Sequence, residues 1–161
     1  MESSTKNVAV ITGASSGIGK EAAKQLLKQG WRVIGMGRTP ERCRQAEIEL
    51  SEYTTSPNQL SMLIADLALM SETRTAADAI SRLTGRVDVL LNNAGGVTAE
   101  LKMTREGNEN TFASNHLGHF LLTQCLLPLL QKSAGKSAPG ATRVINVSSA
   151  AHQQAGPFDW K

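Results

Sequence analysis

The chain has 161 residues, of which 40% are hydrophobic and 19% are charged, and its formal net charge at pH 7 is +3. This length and composition suit one globular domain with a packed core, and they exclude a disordered or fibrous protein. The Lys and Arg residues are spread along the chain and do not cluster with aromatic residues, so the charge gives no support to nucleic-acid binding.

Strand-like and helix-like segments alternate along the chain. Short apolar runs bounded by turn-forming residues predict five strands, at residues 8–11, 31–36, 60–64, 87–91 and 141–149. Helical periodicity predicts four helices between them, which end near 29, 53, 83 and 132, the last of them starting near 105. Thr39 is the expected N-cap of the second helix, with Pro40 at its first position, and Ser71 is the expected N-cap of the third.

The turn between the first strand and the first helix carries three closely spaced glycines. Gly13 allows a tight turn, Gly17 lets the backbone approach a pyrophosphate, and Gly19 allows the helix to pack closely on the strand. The free N–H groups and the dipole at the start of the helix favour an anion. The turn therefore predicts a dinucleotide site, and the alternative is a glycine-rich turn that binds no ligand.

Five strands separated by four helices predict an α/β fold. We expect a Rossmann-like, doubly wound parallel sheet with helices on both faces, and a single dinucleotide-binding domain over residues 1–161. Ligands of such sheets bind beyond the carboxyl ends of the strands. The candidate residues follow these strand ends, at 13–19, Arg38, Asp66, 92–95, Ser148 and Ser149.

Two cysteines, Cys43 and Cys125, fall in separate predicted helices without a metal or redox motif around them. This usage favours free thiols in a reducing compartment, so we expect a cytoplasmic protein. Residues 1–7 contain no long apolar run, and polar residues and a proline interrupt the apolar run at 121–130. The sequence therefore predicts neither a signal peptide nor a membrane span.

Several motifs carry a resemblance to a known family. They are Thr12-Gly13-Ala14-Ser15-Ser16-Gly17-Ile18-Gly19, Asp66-Leu67, Asn92-Asn93-Ala94-Gly95, Ser114-Asn115-His116-Leu117-Gly118-His119-Phe120 and Asn146-Val147-Ser148-Ser149. In order and wording they resemble the motifs of the short-chain dehydrogenase/reductase family over residues 7–150, and the resemblance implies the strand order 3-2-1-4-5. The last two motifs are similar to those of the branch that contains retinol dehydrogenases.

The resemblance implies which residues bind a nicotinamide dinucleotide. The glycine turn would hold the pyrophosphate, Asp66 would accept a hydrogen bond from the adenine amino group with Leu67 packed nearby, and residues 93–95 would line the adenosine and nicotinamide side. The full implied set is Gly13, Ser15, Ser16, Gly17, Ile18, Gly19, Arg38, Asp66, Leu67, Asn93, Ala94, Gly95 and Val147.

Arg38 indicates which of the two dinucleotides is bound. Members of the family that prefer NAD usually carry an acidic residue at the end of the second strand, whereas this chain has Gly37 followed by Arg38. A planar guanidinium suits a 2′-phosphate, so we expect NADP(H) rather than NAD(H). Ser16 weighs against this, because many NADP-preferring relatives have a second basic residue there, and the alternative for Arg38 is a solvated loop charge.

The family's chemistry implies catalytic roles for two residues. In the family a Tyr donates a proton to the carbonyl, a Lys four residues later lowers the pKa of that Tyr, a Ser orients the substrate oxygen, and an Asn supports a proton relay. Ser149 corresponds to the Ser, with Ser148 as the alternative, and Asn115 corresponds to the Asn. The non-catalytic alternatives are a serine bonded to its own backbone and a structural asparagine.

The chain departs from the family at the Tyr-x-x-x-Lys motif. Its one tyrosine is Tyr53, in the second predicted helix, and Lys161 has Pro157 four residues before it. We therefore expect an N-terminal portion of a longer enzyme, with an incomplete sheet whose fifth strand is an edge. It would bind dinucleotide but turn over small carbonyl or alcohol substrates slowly or not at all; the alternative is a catalytically silent dinucleotide-binding, regulatory or dimerising module.

The fourth predicted helix carries two further features. His116 and His119 lie three residues apart without a third ligand at suitable spacing, so we expect packing or surface roles and no metal site. The leucine-rich part of the helix is expected to pack on the sheet. The resemblance also implies a possible homo-oligomer, because this helix often builds a dimer interface in complete members of the family.

Overall fold

A computed structural model of the chain describes residues 7–154 and 156. The strands are β1 Val8–Thr12, β2 Arg32–Gly37, β3 Leu60–Ile64, β4 Val89–Asn92 and β5 Arg143–Asn146. The helices are α1 Gly17–Lys28, α2 Pro40–Ser51, α3 Met70–Leu83, α4 Asn110–Phe112 and α5 Gly118–Ala134. Residues Ala113–Leu117 form a π-helical segment between α4 and α5, and Ala150–Gln154 form a 3₁₀ helix.

The five strands form one parallel sheet in the order β3-β2-β1-β4-β5, which confirms the predicted architecture. Every residue of the central strand β1 is buried, as expected for a strand covered on both faces. Strand β5 lies at the edge of the sheet, and its Val144 and Ile145 side chains are exposed.

Two apolar clusters cover the two faces of the sheet. On one face Val10 of β1 packs with Ile80 of α3 and Leu126 of α5. On the other face Ile11 of β1 packs with Leu27 of α1, in a cluster that also includes α2. Neighbouring residues of a strand point to opposite faces, so one short apolar strand contributes to both clusters.

The start of α3 differs from the sequence prediction. Ser71 is not the N-cap, because the helix begins at Met70 and Leu69 occupies the capping position. The capping acceptor is the Glu106 carboxylate, which receives the N–H of Met70 at 2.6 Å, the N–H of Ser71 at 3.1 Å and the Ser71 hydroxyl at 2.5 Å. The Ser71 hydroxyl and these backbone N–H groups lower the pKa of Glu106. A cap supplied from 36 residues away leaves no local signal in the sequence.

The fourth predicted helix also begins later than expected, and it is not a continuous α-helix. Residues near 105 form a turn, with Gly107 at φ +81°, and α4 starts at Asn110. The Glu109 carboxylate caps it by accepting the N–H groups of Thr111 at 2.8 Å and Phe112 at 2.6 Å, and these bonds lower the pKa of Glu109. Glu109 is the N-cap of α4, so the residues before it, including those near 105, lie outside the helix despite their helical periodicity.

Cys43 and Cys125 are free thiols, and burial raises the pKa of Cys43. Within the part of the chain that the structure describes, no helix combines the length and the apolar character needed to cross a membrane.

Replacing Gly118 by alanine is expected to destabilise the fold. A Cβ atom at Gly118 would lie 2.2 Å from the backbone oxygen of Leu67, so α5 and the segment after β3 would have to separate. We expect the free energy of unfolding in urea to fall by about 1–3 kcal/mol despite the higher helix propensity of alanine.

The matched control is Gly135→Ala at the other end of α5, where the nearest atom would lie 3.6 Å from the new Cβ. This variant should unfold at nearly the wild-type urea concentration. Equal stability of the two variants would show that the contact at Gly118 does not limit the packing.

Candidate functional site

A cavity of about 520 Å³ lies at the carboxyl ends of the parallel strands. Its walls come from the turn after β1, the turn after β2, the segment after β3, the segment after β4, and residues of α4 and the π-helical segment. Most of the residues expected to bind the cofactor line it: Gly13, Ser15, Ser16, Gly17, Ile18, Arg38, Asp66, Leu67, Asn93, Ala94 and Gly95. The tertiary structure therefore brings together four strand ends that are distant in the sequence.

The glycine turn has the backbone geometry of an anion-binding turn. Gly13 and Gly17 have φ values of +70° and +56°, which residues other than glycine rarely adopt. The first backbone hydrogen bond of α1 runs from the Lys20 N–H to the Ser16 oxygen, and Ser16 makes no side-chain capping bond. The amides that open α1 consequently have no helical acceptor, and they lie at the cavity wall.

Gly19 lies beneath this turn, outside the cavity lining. A Cβ atom there would be 2.5 Å from the Gly13 carbonyl oxygen and 2.5 Å from Asn93 Nδ2. The role expected for Gly19 was close packing of helix and strand, and the structure places it at such a contact.

The segment after β4 is anchored to the end of β1. The Thr12 hydroxyl oxygen accepts the backbone N–H groups of Asn93 and Ala94, each at 2.9 Å. The Asn93 carboxamide donates to the Thr12 carbonyl at 2.9 Å and fills the space beneath the glycine turn. Asn93 thus lines the cavity, while its amide group supports the turn.

The segment after β3 contributes Asp66 and Leu67 to the cavity. One oxygen of the Asp66 carboxylate accepts the Ala68 N–H at 3.0 Å, and the Asp66 N–H donates to Glu72 at 2.9 Å. Leu67 is buried in the apolar cluster beneath. These contacts hold a carboxylate at the cavity wall, where it can accept a hydrogen bond from an exocyclic amine.

Two arginines line the cavity after β2. Arg38 was expected there, but Arg42, in the first turn of α2, was missed by the sequence analysis. Among the residues that the structure describes, neither guanidinium forms an ion pair or a hydrogen bond. The sequence feature that could have identified Arg42 is the predicted helix start at Pro40, because a helix that begins at a strand end presents its first turn to the same edge of the sheet.

Asn115 lies in the π-helical segment and is not a lining residue, although it contacts one. Its Nδ2 donates to the Gly96 carbonyl at 2.8 Å, and its Oδ1 accepts the Gly96 N–H at 3.2 Å. Gly96 itself lines the cavity. The Asn115 side chain therefore holds the segment after β4, and single-turn π-helical segments of this kind are frequent at functional sites.

His119 and His116 have separate roles. His119 is buried, and its ring nitrogens lie 2.9 Å from the Thr12 hydroxyl and 3.0 Å from the Asn115 carbonyl. Burial lowers the pKa of His119. His116 is exposed and stacks on Phe112, with ring centroids 5.2 Å apart.

Val147 and Ser149 follow the edge strand β5 and do not line the cavity. The Val147 N–H donates to the Asn92 carbonyl at 2.9 Å, and Ser149 Oγ accepts the Ala151 N–H at 3.2 Å. The side chains of Ser148 and Ser149 are exposed. The structure therefore does not bring Ser149 into the group of residues that surrounds the cavity.

Tyr53 lies on the α1–α2 side of the fold. The ammonium groups of Lys24 and Lys28 are each 5.0 Å from the centre of its ring. Within the described part of the chain, the cavity lining contains neither a tyrosine nor a lysine.

Two human dehydrogenases are similar to this chain in sequence. The chain is 38% identical to human retinol dehydrogenase 13 over 151 residues, covering 94% of this chain, and 38% identical to human polyprenol dehydrogenase over 146 residues, covering 90% of this chain. In both cases it spans 43% of the length of the relative.

Solved structures show the same fold. The Pseudomonas aeruginosa RhlG/NADP active-site complex superposes with a TM-score of 0.75 at 36% identity, covering 94% of this chain and 58% of that one. A short chain dehydrogenase from Salmonella enterica gives a TM-score of 0.73 at 32% identity, covering 94% and 61%. The family model for short chain dehydrogenases matches residues 7–159. The chain therefore belongs to the short-chain dehydrogenase family.

Proposed function

We propose that this chain binds NADP(H) and serves hydride transfer between the nicotinamide and a small carbonyl or alcohol substrate. The observation that carries the proposal is the convergence of the open amides of α1, the Asp66 carboxylate and the guanidinium groups of Arg38 and Arg42 on one cavity. Each of these groups is complementary to a different part of a dinucleotide phosphate.

The residues present fit the cofactor. The turn amides would hold the pyrophosphate, and Asp66 would accept a hydrogen bond from the adenine amino group. The backbone of residues 93–96 would lie along the nucleoside. When bound, the nicotinamide supplies or accepts the hydride. The contribution of this chain is to bind the nucleotide and fix its orientation.

The end of β2 favours NADP(H) over NAD(H). A Cβ atom at Gly37 would lie 2.7 Å from Cys43 Sγ and 2.9 Å from Ser15 Oγ, so the acidic side chain that binds a ribose 2′-hydroxyl in NAD-preferring members would have to displace the Cys43 and Ser15 side chains. Arg38 and Arg42 lie beside this position in the cavity wall. Two guanidinium groups suit a 2′-phosphate, and Arg42 supplies the second positive charge that Ser16 lacks.

A catalytically silent dinucleotide-binding module is the second candidate function. It is favoured by one observation: among the described residues, no tyrosine or lysine lines the cavity. Tight binding without turnover would support this candidate, whereas binding with turnover would support the oxidoreductase.

The Arg38→Ala variant is expected to lose selectivity for NADPH. A charge-assisted hydrogen bond contributes about 1.5–3 kcal/mol, so the Kd for NADPH should rise by about tenfold to a hundredfold while the Kd for NADH changes little. Isothermal titration calorimetry with each dinucleotide measures both constants.

The control is Arg74→Ala, an exposed arginine on α3 that does not line the cavity. It should leave both dissociation constants unchanged. An unaltered NADPH/NADH ratio in Arg38→Ala would refute the assignment of Arg38 to the 2′-phosphate.

Turnover by the 161-residue chain is expected to be very slow. Among the described residues, the cavity lining has Asp66 as its one carboxylate and has no tyrosine or lysine, and we assign Asp66 to the adenine amino group rather than to proton donation to a carbonyl oxygen. The measurement is NADPH oxidation with retinaldehyde and a panel of small aldehydes and ketones. Robust turnover at a chain concentration that binds NADPH would contradict this expectation.

A further inference from the structure

The Thr12 hydroxyl at the end of β1 has a restricted set of hydrogen-bond partners. Its oxygen accepts two backbone N–H groups, those of Asn93 and Ala94, at 2.9 Å each. A hydroxyl oxygen has two acceptor positions and one proton to donate. Both acceptor positions are therefore filled, so the hydroxyl can form a further hydrogen bond only by donating its proton. Among the residues that the structure describes, the available acceptors are His119 Nε2 at 2.9 Å and the Leu91 carbonyl at 3.4 Å.

The shorter contact determines the protonation of the His119 ring. If Nε2 carried a hydrogen, it would point at a hydroxyl oxygen whose acceptor positions are already used. Nε2 must then be the acceptor of the Thr12 proton, and the ring hydrogen lies on Nδ1. Nδ1 is 3.0 Å from the Asn115 carbonyl oxygen, which is the acceptor that this tautomer requires. Burial lowers the pKa of His119, and a neutral ring is consistent with that direction.

We propose that His119 is a positioning residue of the dinucleotide site, whose neutral, Nδ1-protonated ring holds the Thr12 hydroxyl on one side and the Asn115 carbonyl on the other. The inference rests on the proposed function, because it assigns the ring a role in shaping that site. The Thr12 hydroxyl anchors the two amides of the segment after β4, and the Asn115 side chain anchors Gly96 in the same segment. One imidazole thus ties β1 and the π-helical segment to the same cavity wall.

The tautomer is tested directly by nitrogen-15 NMR of the imidazole ring near neutral pH. We expect His119 to show an unprotonated Nε2 and a protonated Nδ1. The opposite tautomer, or a doubly protonated ring, would overturn the proposal, because neither can accept the Thr12 proton at Nε2.

Two substitutions separate the two hydrogen bonds of the ring. In His119→Gln the side-chain amide reaches the position of Nε2, so a partner for Thr12 is kept. In His119→Asn the amide reaches only the position of Nδ1, so the bond to Asn115 is kept and the Thr12 hydroxyl loses its acceptor. We expect His119→Asn to raise the Kd for NADPH by about fivefold or more, and His119→Gln to remain closer to the wild type.

The matched controls are His116→Gln and His116→Asn, at an exposed position in the π-helical segment that stacks on Phe112 and does not line the cavity. Both should bind NADPH as the wild type does. Equal effects of the Gln and Asn substitutions at His119 would overturn the proposal, because they would show that the Thr12 bond has no separate role.

A measurement without cofactor distinguishes this inference from the proposed function. Amide hydrogen exchange at Asn93 and Ala94 should be faster in His119→Asn than in the wild type, and unchanged in His116→Asn. If wild-type protein does not bind NADPH, the proposed function fails, while the exchange rates still decide whether His119 holds these amides. Unchanged exchange at both amides would overturn the inference.

Variants of Thr12 keep the test valid if the His119 variants do not fold. Thr12→Ser retains the hydroxyl, and Thr12→Val removes it with little change of shape. We expect Thr12→Ser to retain slow exchange at Asn93 and Ala94, and Thr12→Val to accelerate it. The same exchange rates in the two variants would count against a role for the hydroxyl and for the ring that binds it.

Discussion

The hydrogen bonds at the carboxyl end of β1 are the constraint on which the rest of the site depends. Thr12 is fully buried, and its hydroxyl and carbonyl together contact the segment after β4 and the His119 ring. A buried polar group that loses its partner costs about 1–3 kcal/mol, so these contacts leave the glycine turn and the segment after β4 little freedom to move apart. The Asn93 carboxamide, which lies against Gly13 and Gly19, adds a steric limit to the same arrangement.

Close backbone packing and a helix cap extend this constraint to the segment after β3 and the loop before α4. Gly118 brings α5 against the backbone of Leu67, which places the segment after β3 at the cavity. Glu106 caps α3 from the loop that precedes α4, so that loop is held on the same side of the sheet. The segments of the cavity wall that follow β1, β3 and β4 are therefore fixed by contacts distant in the sequence.

Nucleotide binding and proton transfer require different chemical groups in a site. Binding requires open amides, a carboxylate acceptor and positive charge at one cavity, and these are provided by the turns after β1, β2 and β3. Proton transfer requires an acid that reaches the substrate oxygen. Asn115 and Ser149, the residues expected for that chemistry, bond to the Gly96 backbone and the Ala151 N–H respectively. The described residues therefore fit the proposed nucleotide binding better than they fit proton transfer.

The sequence by itself determined the fold class, because short apolar strands that alternate with helices are local patterns typical of a parallel α/β sheet. Such a sheet can have more than one strand order, so the order and most of the cavity lining were predicted through the resemblance of the motifs to a known family. Only the tertiary structure decided the start of α3, the place of Arg42 and the partners of His119. Glu106 caps α3 from a distant loop, and His119 meets Thr12 across 107 residues, so neither contact has a local signal. Hydrogen bonds between distant segments depend on how the helices pack on the sheet, and periodicity does not specify that packing.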